Sequence, residues 1–466
     1  MEQTLNPSPI SFSSDTIVAV STPPGTGGIA VIRISGNEAL DIIDSVWRGH
    51  ILSGCKTHSA HLGRIVDETG QTLDEVVATI FLAPNSYTGE DTVEISCHGS
   101  KWIQREIVNL LIRNGARAAG PGEFTQRAFL NGKIDLAQAE GIVDLISSTS
   151  RAAQRLAMMQ ANGQFSARLE NLRHQLIDFA SLLELELDFS EEDVEFADRL
   201  RLTELADKII KELDRLINSY AIGKAFKEGI PVVLAGMPNA GKSTLLNSIL
   251  EEEKAIVSDI PGTTRDLIED TREINGTLFR FIDTAGLHDT QDTVEKIGID
   301  RATKQLSRAA IIVWLIDTTG EIATQLATID EKQKKIDKDT VQIIAYNKID
   351  HPDSKSENAS AHPEYVSRIV SISAIEENGA ESLLTLLDNA AQKMQKDEDG
   401  MMITNSRHYE ALVKGREALQ RSRTLLEENL SADFIAQDVR EALHHLGEIT
   451  GSITTSTLLH SIFSRF

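Results

Sequence analysis

The stretch Val232-Val-Leu-Ala-Gly236-Met-Pro-Asn-Ala-Gly241-Lys242-Ser243 decides the fold of the middle of the chain. An apolar run that reads as a buried strand meets the spacing G-x-x-x-x-G-K-S where a helix is expected to open. Glycines at that spacing let backbone N–H groups turn inward around phosphates, and the helix N-terminus adds favourable potential. Lys242 is placed to reach β- and γ-phosphates, and the Ser243 hydroxyl to bind Mg2+. Further apolar runs, Leu278–Ile282, Ile311–Ile316 and Val341–Ala345, are separated by helix-length connections, as parallel βαβ units require. The expectation is a doubly wound α/β domain.

Two motifs downstream sharpen that reading. Asp283-Thr-Ala-Gly286 ends an apolar strand, where a carboxylate can hold a metal-bound water and a glycine amide can meet a γ-phosphate. Asn347-Lys348-Ile349-Asp350 ends another, and Asp350 can accept hydrogen bonds from guanine N1–H and the 2-amino group. Adenine offers neither donor, and a buried carboxylate left unpaired makes the discrimination large. Asn347 can brace the loops while the Lys348 stem covers the base, and Ser373-Ala374-Ile375 resembles the backbone segment that meets the guanine oxygen in proteins with these motifs, Ile375 standing where a lysine is often found. The predicted nucleotide is GTP. Between the glycine-rich loop and Asp283, the polar loop Ser258-Asp-Ile-Pro-Gly262-Thr263-Thr264-Arg265 can close over Mg2+ through a threonine hydroxyl. With Asn239 it can also hold a monovalent cation where other GTPases place an arginine finger, and Arg265 is the alternative finger. Leu287 stands where a Ras-like GTPase has its water-orienting glutamine, so Asp289, Asp292 and Glu295 are the local candidates, and spacing does not choose among them.

Working outward, the N-terminal third reads as α+β, with strands at Thr16–Val20, Ile29–Ile34, Val76–Leu82 and Val93–Cys97. A helix over Lys101–Arg113 places Trp102, Ile103, Ile107, Leu110 and Leu111 at helical spacing. From about Leu136 to Tyr220 the pattern turns to long amphipathic helices, with Leu169, Leu172, Leu176, Phe179 and Leu183 on one stripe. It returns after Ala390 with Leu412, Leu419, Leu426, Leu430, Phe434, Val439, Leu443 and Leu446 as apolar positions. The simplest architecture packs these helical halves together, with the α/β domain inserted between them; two helical domains in series are the alternative. The expected layout is an α+β N-terminal domain (1–130), a discontinuous helical domain (131–224 and 389–466) and an inserted doubly wound P-loop domain (225–388).

Composition sets the outer limits. At roughly 100 to 200 residues per domain, 466 residues hold several domains. Hydrophobic residues at 41% and charged residues at 25% fit a folded globular chain. Two cysteines, Cys55 and Cys97, exclude a disulfide framework and a four-thiolate metal site. With no secretory leader and no apolar run near the roughly 18 residues of a membrane span, a cytoplasmic setting is expected. A net charge of −24 repels polyanions over the surface as a whole, so any nucleic-acid contact must come from a local patch or a partner. In Cys97-His98, neighbours on a strand point to opposite faces, which favours structural roles over a nucleophile and its base.

Several segments together carry a resemblance over essentially the whole length: Thr22-Pro-Pro-Gly25, Arg33-Ile-Ser-Gly36, Ser86-Tyr-Thr-Gly-Glu-Asp91, Pro121-Gly-Glu-Phe-Thr125, Arg127-Ala-Phe-Leu-Asn131, Lys133-Ile-Asp-Leu-Ala-Gln-Ala-Glu140, Gly262-Thr-Thr-Arg-Asp266 and Leu446-Gly-Glu-Ile-Thr-Gly451. The chain resembles the tRNA modification GTPase family MnmE, also called TrmE. The resemblance implies a homodimer formed through the N-terminal domain, a site there for a tetrahydrofolate derivative, and a G domain that dimerises with K+ and GTP. It also implies a flavoprotein partner, MnmG, with which the family adds an aminomethyl or carboxymethylaminomethyl group to C5 of the wobble uridine of tRNA.

By position, the resemblance gives Asn239, Ser258, Ile260 and Thr263 as K+ ligands, Ser243 and Thr264 as Mg2+ ligands, and Glu295 as the water-orienting residue beside the catalytic Lys242. Arg33, Glu94 and Lys133 match folate contacts, and the family's terminal Cys-Ile-Gly-Lys has no counterpart after Phe466. The GTP-binding set is then Asn239, Ala240, Gly241, Lys242, Ser243 and Thr244 in the first loop, and Ser258, Asp259, Ile260, Pro261, Gly262, Thr263 and Thr264 in the second. Asp283, Thr284, Ala285 and Gly286, then Asn347, Lys348 and Asp350, and finally Ser373 and Ala374 complete it. Two other readings compete: a regulatory switch GTPase that recruits partners without taking part in modification, and a one-carbon transfer enzyme centred on the N-terminal domain.

Overall fold

The computed structural model describes residues 15–188, 199–251, 270–283, 306–334, 336–337, 340–355, 368–376, 378–396, 401–428 and 430–464. Its contacts divide the chain into two compact units, Met1–Val143 with Thr450–Phe466, and Asp144–Ile449.

In the first unit the order is β1 (Ile17–Val20), β2 (Ile29–Ser35), α1 (Ala39–Val46), β3 (Trp47–Arg48), β4 (Ser59–Val66), β5 (Thr72–Phe81), β6 (Thr92–His98), α2 (Lys101–Arg113), β7 (Arg117–Ala118), α3 (Glu123–Leu130) and the start of α4 (Leu136–Ser147). The strands form one sheet, β3-β4-β5-β6-β2-β1-β7, antiparallel at every pairing except β1 with β7. Along β5 the buried Asp74, Val76, Ala78 and Ile80 alternate with exposed or half-buried neighbours, the period-2 signature of a sheet with one covered face. Ile32, Ile34, Ile65 and Ile95 from the strands pack with Ile43 of α1 and Ile107, Leu110 and Leu111 of α2.

Sequence periodicity missed β4, whose apolar residues are interrupted by His61, Gly63 and Arg64. It also placed Trp102 on the packing stripe of α2, yet Trp102 is 53% exposed and Gln104 is buried instead. At 3.6 residues per turn, Trp102 lies about 140° round the helix from Ile107, whereas Gln104 lies on the covered side.

The second unit contains α5 (Arg151–Ala161), α6 (Gln164–Asp188), α7 (Arg199–Glu228), β8 (Ile230–Gly236), α8 (Lys242–Glu251), β9 (Asp270–Ile274), β10 (Thr277–Asp283), β11 (Ile311–Asp317), α9 (Ile322–Gln333), β12 (Val341–Asn347), β13 (Arg368–Ser371), α10 (Glu381–Lys396), α11 (Ser406–Glu427) and α12 (Ala432–Thr450). Its sheet runs β13-β12-β11-β8-β10-β9, parallel except for the β9–β10 hairpin. Helices cover both faces of this sheet, so its central strands are apolar throughout: in β11 every residue from Ile311 to Ile316 is buried.

The helical segments before and after this sheet pack on each other, so the helical domain is discontinuous and the α/β domain is inserted into it. Asp207 and Asp214 of α7 pair with Arg423 and Arg416 of α11, and Tyr220 stacks on Tyr409 at 4.5 Å between ring centroids. At Gly223 a β-carbon would stand 2.3 Å from the Ile403 carbonyl oxygen, so only glycine lets the chain leading into α11 lie this close to α7. Leu430 and Phe434, expected on the apolar stripe, are 42% and 61% exposed because they flank the break between α11 and α12. The inserted domain rests on α5, where the Gly276 carbonyl of the β9–β10 turn accepts from Ala152 N–H at 2.9 Å and Leu156 joins the core of the sheet. The last helix, α13 (Ser456–Phe463), belongs to the first unit, where Phe463 packs on Phe129 and Leu136. Among the described residues no helix is long and apolar enough to cross a membrane.

Candidate functional site

The glycine-rich loop joins β8 to α8 at the C-terminal end of the parallel sheet, the edge where open α/β folds place ligands. Asn239 and Gly241 both take left-handed backbone conformations, with φ of +65° and +93°. At Gly241 a β-carbon would lie 2.3 Å from Asn347 Nδ2, so the loop can press against the end of β12 only with glycine there. Lys242, 7% exposed, donates from Nζ to the carbonyl oxygens of Gly236 and Met237 at 3.1 and 2.9 Å, which sets its ammonium inside the loop. Ser243 and Thr244 are exposed on the first turn of α8. This donor set, with an enclosed ammonium, a helix N-terminus and an exposed seryl hydroxyl on its first turn, fits a nucleotide polyphosphate with its Mg2+.

A second loop set follows β12. Asn347 is 1% exposed; its Nδ2 donates to the Ala240 carbonyl at 2.8 Å, and its Oδ1 accepts from Ala374 N–H at 3.0 Å. One side-chain amide thus ties the phosphate loop to the Ser373–Ala374 turn. Asp350 is exposed at the loop surface, and its Oδ1 accepts from the buried Ser373 hydroxyl at 2.6 Å. That bond occupies one lone pair and leaves the carboxylate oriented to accept two parallel N–H groups from a purine edge. Lys348 is left-handed, with φ of +67°, and its Nζ pairs with Asp317 Oδ2 at 2.6 Å. Asp317 has no place in the motif reading, and its contact becomes visible only when β11 and β12 pair and set Asp317 opposite Asn347. Burial opposes its charge, but the Lys348 ammonium and the Thr319 hydroxyl and N–H hold its carboxyl below the usual carboxylate range. Beside α8 a cleft of about 880 Å³ is lined by Ser243, Thr244, Arg272, Ala374 and Ile375 among others.

Of the residues expected to serve hydrolysis, Asp283 is the last residue of β10, in register with Leu234 of β8. Ser258, Asp259, Ile260, Pro261, Gly262, Thr263, Thr264, Arg265, Thr284, Ala285, Gly286, Asp289, Asp292 and Glu295 lie outside the described residues.

In the first unit, Arg33 on β2 and Glu94 on β6 are opposite one another in the antiparallel register. Two guanidinium nitrogens of Arg33 donate to Glu94 Oε1 at 2.9 and 2.7 Å, and the guanidinium lies over the rings of Tyr87 and Phe124 at 5.1 and 5.4 Å. Lys133 is exposed and donates to the Pro84 carbonyl at 2.8 Å, across the same loop that carries Tyr87. Behind it Arg127, buried to 7% exposure, bonds to Asp15, Glu90 and Glu123. Glu123 is partly buried, which opposes its charge, yet Arg117, the Gly120 N–H and Arg127 hold its carboxyl below the usual range. Cys97 and His98 diverge as strand neighbours should: burial and then the Asp74 charge push the Cys97 thiol up to about 11, while exposed His98 bonds to Asp74 at 2.7 Å. A thiol so disposed stays protonated at neutral pH and is no nucleophile.

A parallel sheet with a strand, a glycine-rich phosphate loop and a helix, braced by an Asn-Lys-x-Asp loop, defines a P-loop G-domain protein. Residues 136–466 match the family described as the MnmE helical domain, and residues 16–133 match the GTP-binding protein TrmE N-terminus. The chain therefore belongs to the tRNA modification GTPase MnmE (TrmE) family. It is 48% identical to the tRNA modification GTPase MnmE of Cytophaga hutchinsonii, covering 97% of each chain. It is 47% identical to that of Flavobacterium johnsoniae (98% of this chain, 99% of that one) and 46% to that of Bacteroides thetaiotaomicron (98% and 99%). A solved FeoB G-domain from Methanococcus jannaschii aligns with 35% of this chain and 98% of its own at 21% identity, with a TM-score of 0.26.

Proposed function

We propose that this chain is a K+-activated GTPase acting in tRNA modification. Together with a flavoprotein partner, MnmG, it would drive addition of an aminomethyl or carboxymethylaminomethyl group to C5 of the wobble uridine. The observation that carries the reading is the Asn347 amide, bonded at once to Ala240 in the phosphate loop and to Ala374 in the guanine-facing turn. A single side chain thereby holds polyphosphate and base subsites at a fixed separation, and near-full-length similarity to MnmE relatives supports the same assignment.

In this reading Lys242 leaves its loop carbonyls to meet the β- and γ-phosphates, exchanging neutral acceptors for charged ones. Asp350 accepts from guanine N1–H and the 2-amino group, and the Lys348 stem lies over the base. Mg2+, held by Ser243 and Thr264, would neutralise charge developing on the phosphates. Asn239, Ser258, Ile260 and Thr263 would hold K+, which would supply the positive charge that other GTPases take from an arginine finger, and Glu295 would orient the attacking water. In the homodimeric N-terminal domain, Arg33, Glu94 and Lys133 would bind a tetrahydrofolate derivative, with the Arg33 guanidinium held in place over the rings of Tyr87 and Phe124. GTP hydrolysis at matched ionic strength in K+ and in Na+ tests the central claim. Strong K+ stimulation is the expected result; equal rates would discard the cation site and return Arg265 to consideration.

A further inference from the structure

Lys348 presents a physical problem that the motif alone does not solve. A lysine in the left-handed region is strained, because its β-carbon crowds the following carbonyl oxygen. Something must hold it there, and the neighbouring strand end supplies the means. Asp317 closes β11 directly opposite Asn347. Its Oδ1 accepts from Thr319 N–H at 2.9 Å and from the Thr319 hydroxyl at 2.6 Å, which fixes the carboxylate plane and leaves Oδ2 for Lys348. Its backbone is clamped by the buried Gln325, which accepts from Asp317 N–H at 3.0 Å and donates to Asp317 O at 2.9 Å. Next to it the Thr318 hydroxyl, 2% exposed, stands 2.9 and 3.1 Å from the carbonyl oxygens of Asn347 and Lys348. The turn after β11 is therefore built as a template against which the base-reading loop is moulded.

We propose that Asp317 is a positioning residue of the guanine site, anchoring the Lys348 ammonium so that the lysine keeps its left-handed turn and presents its stem, and Asp350 beyond it, to the base. This rests on the reading of the loop as a guanine site. The carboxylate touches no nucleotide; it acts through Lys348, which would otherwise extend into solvent and let the loop relax.

The test uses the full chain and a fluorescent GDP analogue. Asp317→Ala raises the Kd for GDP roughly tenfold, mainly through faster release, and the change in GTP turnover falls on KM rather than kcat. Asp317→Asn, whose amide oxygen still accepts from Lys348, loses less. In a Lys348→Ala background, Asp317→Ala adds nothing further, the signature of two residues acting as one unit. Without nucleotide, acetylation of Lys348 by a limiting acyl donor, read by mass spectrometry, rises in Asp317→Ala. Wild-type GDP affinity together with wild-type labelling in Asp317→Ala would overturn the proposal, as would fully additive losses in the double variant. Failure of the wild-type chain to bind GDP would overturn the guanine reading itself and the role of Asp317 with it. The labelling arm tells that failure apart, since it reads the Asp317–Lys348 contact with no nucleotide present.

Discussion

The two sheets of this protein present their candidate sites in opposite ways. In the parallel sheet β11 is buried on both faces, so no side chain along it is available to a ligand, and the chemistry is displaced to the loops at the strand ends. In the antiparallel sheet of the N-terminal unit, alternation leaves one row half exposed, and Arg33 and Glu94 stand on the strands themselves. A loop site is local in sequence and is recognised as a motif; a strand site is assembled from residues 61 positions apart and has none. The first kind relies on backbone conformation, the second on side-chain pairing.

The sharpest way to break that contrast is to disturb backbone in the first site. Gly241→Val forces a β-branched residue into a left-handed conformation and drives its side chain into Asn347. A cost of about 3 kcal/mol is expected, or roughly a 100-fold loss in GDP affinity, accompanied by a lower melting temperature. Calorimetric titration with GDP checks it, and retention of tight binding would show that loop backbone is not what fixes the phosphate subsite.

At the strand site the corresponding change is one of charge. Arg33→Met keeps an unbranched stem between Tyr87 and Phe124 but removes the guanidinium paired with Glu94. Binding of a tetrahydrofolate derivative should weaken about tenfold, as loss of a charge-assisted contact predicts. Unchanged folate affinity by titration would remove Arg33 from the site.

The smallest effect is on pH dependence. Glu123, whose folded-state carboxyl titrates below its usual 4.5, stabilises the N-terminal unit at neutral pH. That contribution is present above the unfolded value and is lost as pH falls through the folded one. Melting temperatures followed from neutral pH down to about pH 3 should drop less steeply in Glu123→Gln than in the wild type. An identical slope would show that Arg117 and Arg127 contribute nothing through this carboxylate.

What could be read from sequence follows the same division. The glycine-rich loop, Asp283 and Asn347-Lys348-Ile349-Asp350 belong to contiguous patterns, and their strand-end placement emerges as expected. Asp317 escaped notice because an aspartate after an apolar strand has no meaning until the strand beside it is known. Arg33, Glu94 and Lys133 came only from family resemblance, since nothing local marks one strand charge above another. In the helices, period and composition gave the discontinuous domain, but they misplaced Trp102, Leu430 and Phe434, where the end or a break of a helix lets apolar side chains face water. A lone apolar residue on the surface is common enough that composition does not flag it.

The inserted position of the G domain also sets a timetable for synthesis. Helix α7 leaves the ribosome about 180 residues before α11, the helix against which it packs, which at elongation rates of about 5–20 residues per second is a delay of about 10–40 s. During that interval the α/β sheet can complete itself between Ile230 and Lys396, while the face of α7 that α11 will cover, and Gly223 against which Met402 and Ile403 will lie, wait without their cover. The nascent helical domain is thus open longest on the side that the finished molecule seals most tightly.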